Sequence, residues 1–168
     1  MTIGASGRPG TVLLRTRSAA ETEDLAADLA SVARPGDRVA LIGPLGAGKT
    51  AFTRGFARGL GVPETVTSPT FTLLHEHAGR IPLHHQDLYR LTGPEDARES
   101  GLLDERGAAA VTLVEWADRL GADAGVGAIL VEIRVTGEDE RELRLSAQDP
   151  VRYGAWLERA RRAGAGPG

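Results

Sequence analysis

The apolar positions of the chain fall in two alternating periods. Thr11-Val-Leu-Leu-Arg-Thr-Arg17 predicts a first strand. Ser18-Ala-Ala-Glu21 is a capping box and predicts a helix start. Leu25, Leu29 and Val32 then recur at helical spacing and define a buried face. Pro35-Gly36-Asp37 ends that helix and turns the chain into Arg38-Val-Ala-Leu-Ile42, a short buried strand. After a glycine-rich segment, Phe52, Phe56 and Leu60 form an i, i+4, i+8 stripe. Arg54 and Arg58 fall on another, solvated face, and Gly61 closes the helix.

The second half repeats the alternation. Ser68-Pro69-Thr70 is excluded from a helix, because a residue before proline is pushed to extended conformations. The hydroxyl-rich loop around it runs into a β-like segment ending near His75. Gly79-Arg80 reads as a hairpin turn before Ile81-Pro-Leu-His-His-Gln-Asp-Leu-Tyr-Arg-Leu91. Pro94 to Ser100 reads as a short helix, and Ala109 to Val114 as a buried strand ending at Glu115-Trp116. Ile129, Val131, Ile133 and Val135 alternate with polar and apolar partners. With Glu142-Leu-Arg-Leu145 they predict an antiparallel hairpin turning near Gly137. A last helix from Pro150 buries Tyr153, Trp156 and Leu157, with Arg159, Arg161 and Arg162 toward its C-terminus.

Strands alternating with helices over 168 residues fit one α/β domain with a core of its own. Residues 11–163 carry the pattern; 1–10 and 164–168 are rich in small residues and read as tails.

The glycine-rich segment, Gly43-Pro-Leu-Gly-Ala-Gly-Lys-Thr50, matches the P-loop pattern. Its glycines let consecutive backbone N–H groups converge on one concavity. A helix starting near Lys49 adds the positive end of its dipole. The Lys49 ammonium suits β/γ-phosphates, and the Thr50 hydroxyl suits Mg²⁺. A strand before the loop and a helix after it supply the context that this motif requires.

Composition sharpens this reading. Of the 20 Lys and Arg residues, Lys49 is the only lysine. A chain that otherwise uses arginine for every cation keeps a compact point charge where a P-loop needs one. A net charge of −3 gives no general attraction to nucleic acid. The absence of cysteine excludes disulfides, zinc–thiolate sites and cysteine nucleophiles. No apolar run is long enough to span a membrane, and the cytoplasm is the expected setting of an ATP-binding chain.

Three other stretches carry chemistry. The loop Thr65 to Thr72, with Thr70, has the composition of a switch that senses a γ-phosphate, or of a plain turn entering a strand. On the strand near residue 85, alternation puts His85, Asp87 and Tyr89 on one face, with Asp87 expected toward a nucleotide and His85 supporting it. His75, His77, His84 and His85 lack the cysteine or H-E-x-x-H company of a zinc site. An apolar strand ending in Glu115 is the Walker B pattern, here with Glu rather than Asp.

Taken in order, Leu45-Gly-Ala-Gly-Lys-Thr50, Ser68-Pro-Thr-Phe-Thr-Leu73, His85-x-Asp-Leu-Tyr-Arg-Leu91 and Glu115-Trp116 resemble the TsaE (YjeE) family. These are small ATPases of bacterial tRNA threonylcarbamoyladenosine synthesis. The resemblance runs from about Thr11 to Ser146. It implies a P-loop NTPase-like three-layer α/β fold, with a mixed, mostly parallel central sheet and a C-terminal antiparallel hairpin. It implies ATP on Gly43, Leu45, Gly46, Ala47, Gly48, Lys49, Thr50 and Ala51; apart from the resemblance, Arg141 on the hairpin is a further candidate nucleotide contact. Thr50 and Glu115 would hold Mg²⁺, while Lys49, Thr70, Asp87 and Glu115 would serve hydrolysis. Asp87 and Glu115 both stand as candidates for positioning the attacking water. The implied partners are TsaD and TsaB, with Trp116 and Tyr89 as anchors, and with tRNA reached only through the complex. Ala117-Asp118 follows Trp116 where the family often has Pro and an acid, which leaves the turn there open.

Two other readings share the P-loop. A small-molecule or nucleotide kinase needs an acceptor pocket and an arginine-bearing lid, for which Pro94 to Arg106 is a short candidate. An ATP-gated binding module would turn over little. A Ras-like GTPase needs a second lysine for its guanine-reading motif, and the chain has none.

Overall fold

The computed structural model describes residues 3–4, 10–67, 73–100 and 109–165. Among the described residues, eight strands form one sheet: β1 (Ile3–Gly4), β2 (Thr11–Thr16), β3 (Arg38–Ile42), β4 (Leu74–His77), β5 (Leu83–Asp87), β6 (Val111–Glu115), β7 (Ile129–Val135) and β8 (Arg141–Ala147). The helices are α1 (Ala19–Ala30), α2 (Lys49–Gly59), α3 (Pro94–Glu99) and α4 (Gly154–Ala165), with a 3-10 segment at Ala117–Asp123. Strand order is β1-β2-β8-β7-β3-β6-β5-β4. The middle of the sheet, β7-β3-β6-β5, is parallel throughout. Both flanks are antiparallel, and the β7–β8 hairpin stands where the sequence predicts it.

The two central strands, β3 and β6, are buried along nearly their whole length and read as mostly apolar runs. On one face α1, α2 and α4 cover the sheet through Leu25, Leu29, Phe52, Phe56, Leu60, Tyr153, Trp156 and Leu157. Ala97 of α3 joins Leu88, Ala117 and Leu120 in a second cluster against Ala40 and Val114. Trp156 stacks on Phe56 at 5.7 Å, and its Nε1 donates to Asp37 Oδ2 at 3.0 Å. Tyr153 Oη accepts from the Arg38 N–H and donates to Gly127 O. The C-terminal helix and the residue before it are thus tied to the start of β3 and, through Gly127, to the turn before β7.

The capping box forms with one change: Ser18 Oγ accepts from Glu21 N–H, while the Glu21 carboxylate reaches Arg17 N–H at 2.7 Å. Helices α1 and α2 meet at backbone distance. A Cβ on Gly55 would lie 2.0 Å from Glu23 O, so only glycine fits. Arg58, expected on a solvated face, ties α2 to α1 through Asp24 at 2.7 Å. Ile3–Gly4 pairs with Leu13 and Leu14, and α4 continues through Gly164, which is buried. Edge pairing uses backbone groups alone and leaves no periodic side-chain signal.

In register, Leu41 of β3 and Asp87 of β5 both stand beside Glu115 of β6. The carboxyl ends of three adjacent parallel strands therefore coincide, and the glycine-rich loop leaves from that edge. This is where an open α/β sheet binds ligands.

Candidate functional site

The loop after β3 curls because Gly46 and Gly48 take φ of +78° and +108°, with open space where a Cβ would stand. Gly43 passes close to β7: an added Cβ would meet Ile133 O at 2.7 Å. Ala47 N–H bonds back to Pro44 O at 3.0 Å, and Phe52 N–H to Gly48 O at 2.9 Å, which starts α2 directly from the loop. Leu45 projects from the tip, 80% exposed.

Over this loop lies a cavity of about 370 Å³, lined by Leu45, Gly46, Gly48, Lys49, Thr50, Asp87, Tyr89, Glu115 and Trp116. All nine belong to motifs that the sequence singles out. Gly43, Ala47, Ala51 and Arg141 do not line it. Arg141 instead sits behind the loop: Nε donates to Ala47 O at 3.0 Å and Nη2 to Gly46 O at 3.3 Å. Its Nη1 reaches the carbonyls of Gly137, Glu138 and Glu140, so one guanidinium binds the β7–β8 turn to the loop. Thr70 and the rest of 68–72 lie outside the described residues, as does 101–108, which includes part of the candidate lid.

Lys49 is 5% exposed. Its ammonium donates to Gly43 O and, at 2.9 Å, to Pro44 O. Burial lowers its pKa, opposed by the attraction of Glu115, Asp118 and Asp87. Glu115 is 2% exposed and its Oε2 lies 2.5 Å from His85 Nε2. The sequence reading assigned His85 to Asp87. The register explains the difference: His85 stands opposite Leu113, one same-face step before Glu115, and so reaches across to β6. Asp87 Oδ1 accepts instead from the Tyr89 N–H at 2.9 Å. Burial raises the Asp87 pKa; the Tyr89 N–H, His85 and Lys49 oppose this, and Glu115 adds to it.

After Glu115 the backbone turns sharply. Trp116 takes φ 58°, ψ 39°, and Ala117 begins the 3-10 segment with its side chain buried. The Trp116 ring lies 5.0 Å from the Tyr89 ring, 4.0 Å from Lys49 Nζ and 5.3 Å from the Arg119 guanidinium. Arg119 carries no motif signal. Its place at i+3 of a turn following Trp116 is visible only once that turn is known.

The donor set suits a hard divalent cation. Among the described residues there is no group of three or more His, Asp or Glu that could hold a metal. A hydroxyl and a carboxylate at a phosphate cradle match Mg²⁺, which takes one or two protein oxygens and completes its octahedron with phosphate and water.

A family model described as "Threonylcarbamoyl adenosine biosynthesis protein TsaE" matches residues 16–144. The chain is 41% identical over 134 residues to the tRNA threonylcarbamoyladenosine biosynthesis protein TsaE of Bacillus subtilis, covering 79% of this chain and 84% of that one. It is 36% identical over 131 residues to the protein of the same name from Treponema pallidum, covering 78% and 97%. The crystal structure of Bacillus subtilis YdiB superposes with a TM-score of 0.70 at 34% identity, covering 96% of this chain and 97% of that one. With that fold and these sequence matches, the chain belongs to the TsaE family.

Proposed function

We propose that this chain binds ATP with Mg²⁺ in the 370 Å³ cavity and hydrolyses it in the service of tRNA threonylcarbamoylation at adenosine 37 of tRNAs reading ANN codons. One observation carries the reading: the only lysine of the chain and the carboxylates of Asp87 and Glu115 line the same cavity over a P-loop. The biosynthetic role rests on family membership.

Backbone N–H groups of the loop from Gly46 to Thr50 bind phosphate oxygens, and the α2 N-terminus adds its dipole. Lys49 neutralises charge on the transferring group. Thr50 and Glu115 would hold Mg²⁺, with His85 fixing the Glu115 carboxylate. Bound there, Mg²⁺ would neutralise phosphate charge. Asp87, held by the Tyr89 N–H and raised in pKa by burial, accepts a hydrogen bond from the attacking water and orients it. Arg141 keeps the loop in its curled form from behind.

Trp116 and Tyr89 form an aromatic pair at the mouth of the cavity, with Tyr89 53% exposed. They are the anchors for TsaD, acting with TsaB; tRNA is reached through that complex. The cytoplasm, where ATP and tRNA are found, is the proposed setting. Among the described residues no helix is long and apolar enough to cross a membrane. Calorimetric binding of ATP with and without Mg²⁺, with phosphate release measured alongside, tests the proposal. Absence of binding refutes it.

A further inference from the structure

Trp116 is the only residue other than glycine at positive φ among the described residues. A bulky L side chain takes the left-handed region at a cost, and such strain persists where the surroundings impose it. Here the conformation carries the indole back over the cavity, where it meets Lys49.

An ammonium has three N–H directions. Lys49 directs its ammonium to Gly43 O and Pro44 O, and the indole lies 4.0 Å from Nζ on the remaining side. The two carbonyls belong to a loop braced by Arg141 from behind. The indole belongs to a strained turn at the cavity mouth and lies against the ring of Tyr89 at a tilt of 52°, with Tyr89 half exposed. Of the three groups on the ammonium, the ring is the one free to give way.

We infer that the Trp116 indole is a displaceable cover on Lys49, which a phosphate oxygen must move aside to reach Nζ. This rests on the reading of the cavity as an ATP site. The cover holds the lysine charge in a cation–π contact whenever no phosphate is bound. Arg119, 5.3 Å from the same ring, retains the indole near the mouth after it moves. A protein that packs on Tyr89 shifts the same ring pair. Partner docking and phosphate binding therefore act on one ring and are thermodynamically linked.

The test is calorimetric binding of ATP with Mg²⁺ to the full chain. Trp116→Leu keeps apolar bulk and the backbone turn but has no π face. It is expected to bind ATP about three- to tenfold more tightly than the wild type, by the loss of a competing cation–π contact. Equal or weaker binding overturns the cover. Lys49→Ala in the same assay separates the two claims. If it binds as the wild type does, the ATP site itself is wrong and the cover falls with it. A second readout does not need the Trp116 variant to fold. Trp156→Phe leaves Trp116 as the only tryptophan of the chain. Adding ATP must then change the emission of a ring that leaves an ammonium; unchanged emission at saturation overturns the inference.

Discussion

His85 Nε2 and Glu115 Oε2 lie 2.5 Å apart, with both side chains almost wholly buried. The two residues are on neighbouring parallel strands, so the carboxylate at the end of β6 is oriented from β5. The neighbouring strand thus fixes where Glu115 can present its other oxygen.

Two substitutions follow from this pair. His85→Gln is expected to weaken Mg²⁺-dependent ATP affinity by about tenfold, the usual effect of losing a partner that orients a metal ligand. Glu115→Ala is expected to weaken it more. Titrating Mg²⁺ against a fluorescent ATP analogue measures both. If Glu115→Ala leaves the Mg²⁺ dependence intact, the carboxylate is not on the metal side.

Asp87→Asn keeps the acceptor oxygen for the Tyr89 N–H but removes the charge. It is expected to leave ATP affinity within about threefold of wild type and to lower hydrolysis by about 10²-fold or more. Equilibrium binding and single-turnover phosphate release check this. Loss of affinity in Asp87→Asn with Glu115→Ala unaffected would reverse the two roles.

The raised pKa of Asp87 gives a signed pH dependence. A carboxyl whose folded pKa exceeds its unfolded value of about 3.9 stabilises the fold when protonated. That stability is lost as pH rises from the unfolded value through the folded one. At pH 7 the charged side chain is a net cost, so Asp87→Asn is expected to raise the melting temperature. A drop in melting temperature would contradict the burial argument. The proposed hydrolysis, with Asp87 as its carboxylate, is expected to fall off on the acid side at a higher pH than an unperturbed aspartate would give.

Gly55→Ala tests the α1–α2 contact. The added methyl would lie 2.0 Å from Glu23 O, so the two helices must separate. The expected loss is about 1–3 kcal/mol in urea unfolding, typical of overpacking. An unchanged midpoint would mean that the helices separate without loss.

Much of the site is legible in the sequence, because the residues lining the cavity sit in short motifs with fixed local geometry. The glycine spacing before Lys49 and the apolar run ending at Glu115 are both local signals, and both lie where they point. The partner of His85 is not local. It depends on the β5–β6 register, which alternation along a single strand cannot give. Arg141 shows the same limit: its strand is evident from alternation, but its five carbonyl partners on two loops arise only when β8 folds against the P-loop. The strand at Ile3–Gly4 is invisible for a different reason. Two residues paired only through backbone carry no pattern. In the fold, the central strands β3 and β6 follow from their short apolar runs, and the hairpin from alternation on either side of Gly137.

The central claim is that ATP turnover at this cavity depends on the P-loop lysine and on partners that reach the site. An arginine supplied in cis or in trans is worth about 10³–10⁵ in phosphoryl-transfer rate. Among the described residues lining the cavity there is no arginine. The decisive measurement is steady-state phosphate release by wild type, Lys49→Ala and Trp116→Ala, each alone and with TsaD and TsaB together. The account predicts slow release by the wild type alone and a large increase with both partners. It predicts no increase for Trp116→Ala, with ATP bound more tightly than by the wild type, and no turnover for Lys49→Ala. Fast release by the chain alone that partners leave unchanged, or near-normal turnover by Lys49→Ala, would contradict it.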